Sequence, residues 1–424
     1  MPIDLLIISG SISDDFEMKV IDANVEELSQ NQVESKVLSY SPDYLICLSS
    51  VLTAKSDLEF IGELKKRVPF AAILMGDIVY QRPHQIIADD RVDAVLLQFP
   101  SAGLNSFLNR KPGNHPDVIY KDHSGILIQG DYSKSEASFG QLKYELFPIE
   151  KYRYPLMQRH PFVPVITNLS CPHTCSYCPV QGVVYRKRNM AELFNELDYL
   201  KKLNIKELMI GDLMFNADVN RSKEICRQMI SANLNFSWTS LMRPESVDEE
   251  LISLAKRAGC HTISFGVETT SESILVNNSR KSDPQKIKSC LSYCDKYGVK
   301  SLVIVLLGLP GETMETAMET ISFVCDTKAT FLSVNIFTKR VGSKYMDKMD
   351  SLEEIFKDHS DLDSDSVLVS NCDLTTDQLK TLRRTAYLKF YCNPTRIIRI
   401  LSHFRSLTEI LEKIRSGLML FSRT

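Results

Sequence analysis

Between Phe162 and about Lys339 the chain alternates, six times over, a short apolar run with an amphipathic segment of helical period, and few folds accept that rhythm. The apolar runs are PVITN, IKELMIGD, FSWTSL, HTISFGVE, VKSLVIVLLG and ATFLSVNIF. Between them lie MAELFNELDYLKKL, VNRSKEICRQMI, VDEELISLAKRAG, DPQKIKSCLSYCDKYG and METAMETISFVCD. Strand-length runs separated by helices call for parallel pairing, because each crossover returns the chain to the same end of the sheet. The expectation for residues 162–342 is a partial (β/α)6 barrel of the TIM type, whose chemistry gathers at the carboxyl ends of its strands.

A shorter alternation precedes it. Strands are expected at IDLLIISG, MKVIDAN, DYLICLSS, FAAILMGD and VDAVLLQF. The clearest helix is SDLEFIGELKKRV, with Leu58, Ile61 and Leu64 on one face and Lys65, Lys66 and Arg67 near its C-terminal end. Residues 1–110 therefore read as a doubly wound, Rossmann-like parallel sheet, trimmed because the link between its first two strands leaves no room for a helix. Residues 111–161 read as a connector with a small hairpin around GILIQGD, and residues 343–424 as a helical region beginning near Thr375 after the polar link KDHSDLDSDS.

Composition narrows the function. With 44% hydrophobic and 24% charged residues and a formal net charge of -3, the 424-residue chain has neither the basic surface of a nucleic-acid binder nor the polarity of a disordered one. No run is long enough to span a bilayer, and MPIDLLIISGSISDDF lacks the basic segment and cleavage site of a secretion signal, so a cytoplasmic location is expected. Eleven cysteines in such a chain point to metal or redox chemistry in place of disulfides.

Three of them stand in ITNLSCPHTCSYCPV as C-x3-C-x2-C, immediately after the first barrel strand and hence at the catalytic rim. Thiolates are the usual ligands of iron–sulfur clusters, and a cubane held by three of them leaves one iron open to a non-protein ligand. Zinc is the alternative, but a structural zinc takes four closed ligands, and His173 as the fourth would crowd a tetrahedral ion. Of the rest, Cys290 and Cys294 share an apolar helical face with Ile287 and Leu291. Cys47 and Cys260 fall in or beside strands, and Cys226, Cys325, Cys372 and Cys392 are isolated, so a single cluster is expected.

The cysteine spacing, with Tyr177 before the third cysteine, resembles the motif of the radical S-adenosylmethionine (SAM) superfamily. The resemblance implies a [4Fe–4S] cluster on Cys171, Cys175 and Cys178, with SAM chelated to the open iron and reductively cleaved to a 5′-deoxyadenosyl radical. It also implies a small-molecule substrate and an electron donor such as flavodoxin or ferredoxin. It places Tyr177 against the adenine and gives Gly211-Asp212 the SAM amino group, although Asp stands where the family carries Glu and one Gly is missing. FGVET is similar to the family's G-V-E-S segment, which makes Glu268 a SAM contact. Arg243 and Lys281 sit where members often carry basic residues, with a solvated surface charge as the alternative. LLGLPGET is family-like as well, with Gly308 and Gly311 admitting the adenine and Glu312 capping the next helix.

The first unit resembles the branch with an N-terminal cobalamin-binding domain, which implies cobalamin at the strand ends near Ser49, Ser50, Gly76 and Asp77. Two readings of that unit stay open: a cobalamin site, or a scaffold or lid that has lost the cofactor. They correspond to cobalamin-dependent methylation of an unactivated carbon and to a cobalamin-free radical reaction such as oxidation, dehydration or rearrangement. A non-catalytic metal-binding module is a third possibility.

Overall fold

The computed structural model describes residues 1–122, 124–130, 138–180, 183–346 and 372–402. They fall into two compact units: Met1–Tyr152 with Arg186–Tyr199, and Arg153–Tyr185 with Leu200–Met346 and residues 372–402. The class is α/β, with one mostly parallel sheet in each unit.

In the first unit β1 (Tyr44–Leu48), β2 (Ala71–Met75) and β3 (Ala94–Leu96) run parallel. An antiparallel hairpin, β4 (Val118–Lys121) and β5 (Leu127–Gln129), continues the sheet in the order β1-β2-β3-β4-β5. The helices are α1 (Ile3–Ser11), α2 (Gln30–Tyr40), α3 (Ala54–Lys65), α4 (Asp77–Gln81), α5 (Pro83–Ala88), α6 (Leu104–Leu108) and the first part of α7 (Met190–Lys202). On α3 the expected face, Leu58, Ile61 and Leu64, is fully buried. Arg188 is also buried, its guanidinium 4.3 Å from the Phe139 ring centroid and 2.5 Å from Glu196, which accepts the Tyr144 hydroxyl at 2.6 Å.

Two strands expected from the sequence do not form. IDLLIISG is helix α1, and MKVIDAN holds no strand. A short unbroken apolar run has no period that separates a buried strand from a buried helix. Here Leu6, Ile7 and Ile8 are all buried, and Ile8 and Ile12 join Ile73, Met75 and Leu96 in one core. Asp22 ends the second segment in a turn, accepting from Val25 N at its side chain (3.2 Å) and from Glu26 N at its carbonyl (2.9 Å). With both strands missing, β1 becomes an edge strand, half-buried along its whole length.

The second unit fulfils the barrel expectation. Six parallel strands pair in sequence order: β6 (Phe162–Val165), β7 (Glu207–Ile210), β8 (Ser237–Met242), β9 (Cys260–Glu268), β10 (Lys300–Leu307) and β11 (Phe331–Ile336). Around them lie α8 (Val219–Ser231), α9 (Glu249–Arg257), α10 (Glu272–Asn277), α11 (Pro284–Tyr297) and α12 (Met314–Cys325). They are followed by α13 (Thr376–Tyr391) and α14 (Pro394–Ser402). Local chemistry sets the helix ends: Asp218, Asp248 and Asp283 accept from backbone N–H groups of the first turns, and Gly298 closes α11 in the left-handed conformation. Cys226, Cys260, Cys290 and Cys294 are buried.

Two polar devices hold the sheet. At its amino end, buried Glu207 meets His261 Nε2 at 2.8 Å and accepts from Gln158 N at 3.2 Å. At its last edge, Tyr387 and Tyr391 of α13 place their hydroxyls on β11. The Leu332 N–H donates to Tyr391 at 3.0 Å and the Val334 N–H to Tyr387 at 3.1 Å. Residues four apart on a helix share a face, so two tyrosines serve the edge groups that a seventh strand would otherwise pair.

Candidate functional site

The loop after β6 carries Cys171, Cys175 and Cys178, and its entry is fixed by Asp212 at the end of β7. Both carboxylate oxygens of Asp212 are engaged: Oδ1 accepts Thr167 N (2.7 Å) and Asn168 N (3.2 Å), while Oδ2 accepts the Thr167 hydroxyl and Asn168 Nδ2 (2.7 Å). Burial raises the Asp212 pKa from its ordinary value to about 6, against the pull of those bonds. Gly211 N donates to Val165 O at 2.9 Å, joining the two strand ends. Farther along the loop, Ser176 N donates to Asn278 O (3.0 Å) and Ser176 O accepts Lys344 N (2.9 Å).

All eleven cysteines are thiols. Among the described residues no three His, Cys, Asp or Glu side chains are drawn around one point. Burial pushes the Cys171 and Cys178 thiols above their ordinary range, while the charges of Arg243 and Arg280 pull Cys171 back. Three thiolates and two nearby guanidiniums suit an anionic metal–sulfur group, since bound thiolates bring negative charge that the arginines offset.

Tyr177 stands at the centre of the site, packed against the Ile274, Leu309 and Phe337 cluster, with its hydroxyl accepting from Arg280 Nη1 at 3.2 Å. Burial, followed by the Glu268 charge, raises the Tyr177 pKa, so the phenol stays protonated. Arg280 is 5% exposed; it donates to Gly266 O and lies 3.8 Å from Glu268 and 3.7 Å from Glu245. Glu245 in turn accepts the Ser282 hydroxyl (2.6 Å) and faces Arg243 Nε at 3.6 Å.

Glu268 owes its placement to backbone irregularity. The β9–β10 register shifts between Gly266 and Glu268, and Glu268 itself has φ 66°, left-handed and rare for a side chain of this size. A Cβ on Gly266 would lie 2.6 Å from Glu268 Oε1, so glycine there leaves room for the carboxylate. Burial raises the Glu268 pKa and Arg280 opposes the rise.

After β10, Gly308 turns with φ 87° and brings Leu309 beside Tyr177. The sequence assigned Glu312 to cap the next helix; Thr313 does so instead, in a capping box with Thr316. Glu312 folds back, fully buried, to accept the Gly308 N–H at the turn. Burial raises its pKa to about 7.

Of the residues singled out from sequence, the structure thus brings together the cysteine loop, Tyr177, Glu268, Arg243 and the Gly308 turn, with Gly211 and Asp212 beneath the loop. Lys281 is exposed and contributes only its carbonyl, which accepts from Arg243 at 3.0 Å. Arg280, one position earlier, is the buried cation and was missed, as was Glu245. The only signal was the apolar pair Ile274-Leu275, which turns α10 and the chain after it inward. In the first unit Ser49 and Gly76 are both buried. The Ser49 hydroxyl donates to Asp57 at 2.7 Å, and a Cβ on Gly76 (φ 119°) would lie 2.0 Å from Ser49 O, so this glycine is required by a neighbouring strand end. The rim above them is open at Leu52 and Asp77.

Residues 165–324 match the family model described as the radical SAM superfamily. A Pyrococcus horikoshii protein described as an uncharacterized methyltransferase is 23% identical over 94% of this chain and 89% of its own. The radical SAM methyltransferase TsrM of Kitasatospora setae, solved with cobalamin and a [4Fe–4S] cluster, has TM-score 0.65 and 16% identity over 79% of this chain and 69% of its own. OxsB, a cobalamin-dependent SAM radical enzyme solved with aqua-cobalamin, has TM-score 0.64 and 15% identity over 84% of this chain and 54% of its own. A radical SAM domain implies a [4Fe–4S] cluster and SAM, and the donor set after β6 fits them. With that match seated on the sheet whose strand ends carry the three cysteines, the chain carries a radical SAM domain.

Proposed function

We propose that this enzyme methylates an unactivated carbon of a small molecule, with cobalamin as the methyl carrier. The observation that carries the reading is that the fold likeness to enzymes solved with cobalamin runs across both units, covering 79–84% of the chain and not the barrel alone. Cys171, Cys175 and Cys178 hold the cluster. Glu268, Tyr177, Arg243 and the Gly308 turn hold SAM, while Gly211 and Asp212 set the strand ends beneath the loop. When bound, the cluster and SAM supply one-electron cleavage that opens an inert C–H bond, and cobalamin supplies the methyl group. The chain's own contribution is placement. The Glu268 carboxylate offers a charge-assisted acceptor to an ammonium, and the Tyr177 ring with Leu309 and Phe337 offers an apolar face from which water is excluded. Cobalamin would lie over the rim of the first sheet near Leu52 and Asp77, and a flavodoxin or ferredoxin would deliver the electron.

A second reading draws on the two missing strands and on the burial of Ser49 and Gly76: a cobalamin-free radical enzyme whose first unit is a scaffold or lid. The experiment that separates them is anaerobic reconstitution with iron and sulfide, followed by SAM and, separately, hydroxocobalamin. The expected outcome is about four irons per chain, 5′-deoxyadenosine or S-adenosylhomocysteine from SAM, and near one cobalamin retained through gel filtration. Replacing any of the three cysteines by Ala should abolish iron binding and SAM turnover together. Cluster-loaded protein that retains no cobalamin would select the second reading.

A further inference from the structure

We propose that the turn after β11 recognises an oxyanion, a carboxylate or phosphate carried by the substrate, through Lys339, Arg340 and Lys344. The proposal rests on the reading of this site as a radical SAM site and adds the chemical class of its substrate. β11 is the last barrel strand, so the chain leaving it stands at the carboxyl ends, where a barrel does its chemistry. Phe337 is buried there in one cluster with Ile274 and Leu309, against Tyr177 and Tyr345. The chain then reverses over residues 340–343. Arg340 O accepts Ser343 N at 2.9 Å and the Ser343 hydroxyl at 2.7 Å, and Gly342 has φ 89°, as the third position of a type II turn requires. Val341, Ser343 and Met346 are buried, while Arg340 and Lys344, at either end of the turn, are exposed.

The turn is pinned to the cysteine loop. Ser176 O accepts Lys344 N at 2.9 Å, Ser176 N donates to Asn278 O at 3.0 Å, and the Tyr345 hydroxyl donates to Asn278 Oδ1 at 2.8 Å. Asn278 is buried just past α10, so loop, helix end and turn close one hydrogen-bonded triangle beside the thiols. The charges on this rim are of two kinds. Arg243 and Arg280 lie against the carboxylates of Glu245 and Glu268. Among the described residues, the side chains of Lys339, Arg340 and Lys344 meet no carboxylate at ion-pair distance. Three like charges within six residues repel one another, and a loop with a purely structural task has no use for them. A site that must draw in an anion does: a cation-lined rim concentrates anions, and a guanidinium meets carboxylate or phosphate through two parallel N–H bonds.

The test is equilibrium dialysis of cluster-loaded, SAM-bound protein against radiolabelled inorganic phosphate and, in a separate arm, radiolabelled succinate, at an ionic strength held with potassium chloride. Wild-type protein should bind at least one of the two saturably, and the arm that saturates names the group. Arg340→Gln combined with Lys344→Gln, both at exposed positions, should weaken that binding about tenfold or more at unchanged iron content and SAM affinity. Lys201→Gln combined with Lys202→Gln removes the same charge from the exposed end of α7 and should leave the binding as it is in the wild type. Saturation in neither arm, or equal binding by the turn variant, would overturn the proposal. So would an equal loss in the α7 variant, which would mean net charge alone, or a matching loss of SAM affinity in the turn variant, which would assign the cations to SAM. Wild-type protein that takes up iron yet binds no SAM would overturn the reading of the site, and the proposal with it.

Discussion

Two carboxylates of the barrel illustrate opposite uses of burial. Glu268 is kept near Arg280 and turned toward the site, so Glu268→Gln should leave the iron content unchanged while weakening SAM binding by about tenfold to a hundredfold, the worth of one charge-assisted contact. Equilibrium binding to reconstituted protein checks it. Glu312 is sealed away, accepting the Gly308 N–H, and its pKa rises from 4.5 to about 7. A carboxyl that binds its proton more tightly folded than unfolded stabilises fully below pH 4.5, and that stability is lost as pH rises through about 7. Denaturant unfolding between pH 4.5 and 8 should therefore show a steeper decline in the wild type than in Glu312→Gln; parallel curves would remove Glu312 from the account.

At the level of elements, what could be read in the sequence was decided by periodicity. The six barrel strands were legible because helices with a clear 3.6-residue period lie between them, so each strand is defined by contrast. IDLLIISG offered no contrast: four apolar residues in succession satisfy a buried helix as well as a buried strand, and the choice fell to the missing partner at MKVIDAN. The cysteine loop was legible because three donors at short spacing have few other uses. Arg280 and Glu245 were not, since a charge becomes part of a site only when other segments fold against it. Nor does any sequence pattern mark the tyrosines that finish the sheet. Tyr387→Phe with Tyr391→Phe should strip the β11 edge of its partners, lower the thermal midpoint, and raise light scattering before unfolding is complete. Equal scattering in mutant and wild type would mean that α13 shields the edge by bulk alone.

At the scale of the whole molecule, the chain does not divide where its two sheets do. Residues 186–199 follow the cysteine loop in sequence but belong to the first unit. A protein truncated to residues 153–424 would keep the Arg188–Glu196 pair and lose the Phe139 ring and the Tyr144 hydroxyl that bury it. Breaking the surroundings of a buried ion pair is costly. We expect such a truncation to be insoluble or to melt well below the full chain by circular dichroism; a barrel that melts unchanged would show the two units to be energetically independent.

The left-handed backbone at Glu268 has a consequence for anyone who tries to improve this protein. A non-glycine residue in that conformation carries strain of order 1–3 kcal/mol, which glycine there would relieve. Selection for thermal tolerance alone should therefore enrich glycine at this position and return a sturdier, inert enzyme. Libraries screened for robustness must hold residue 268 constant, and natural sequences that carry glycine there should be suspected of having left catalysis behind.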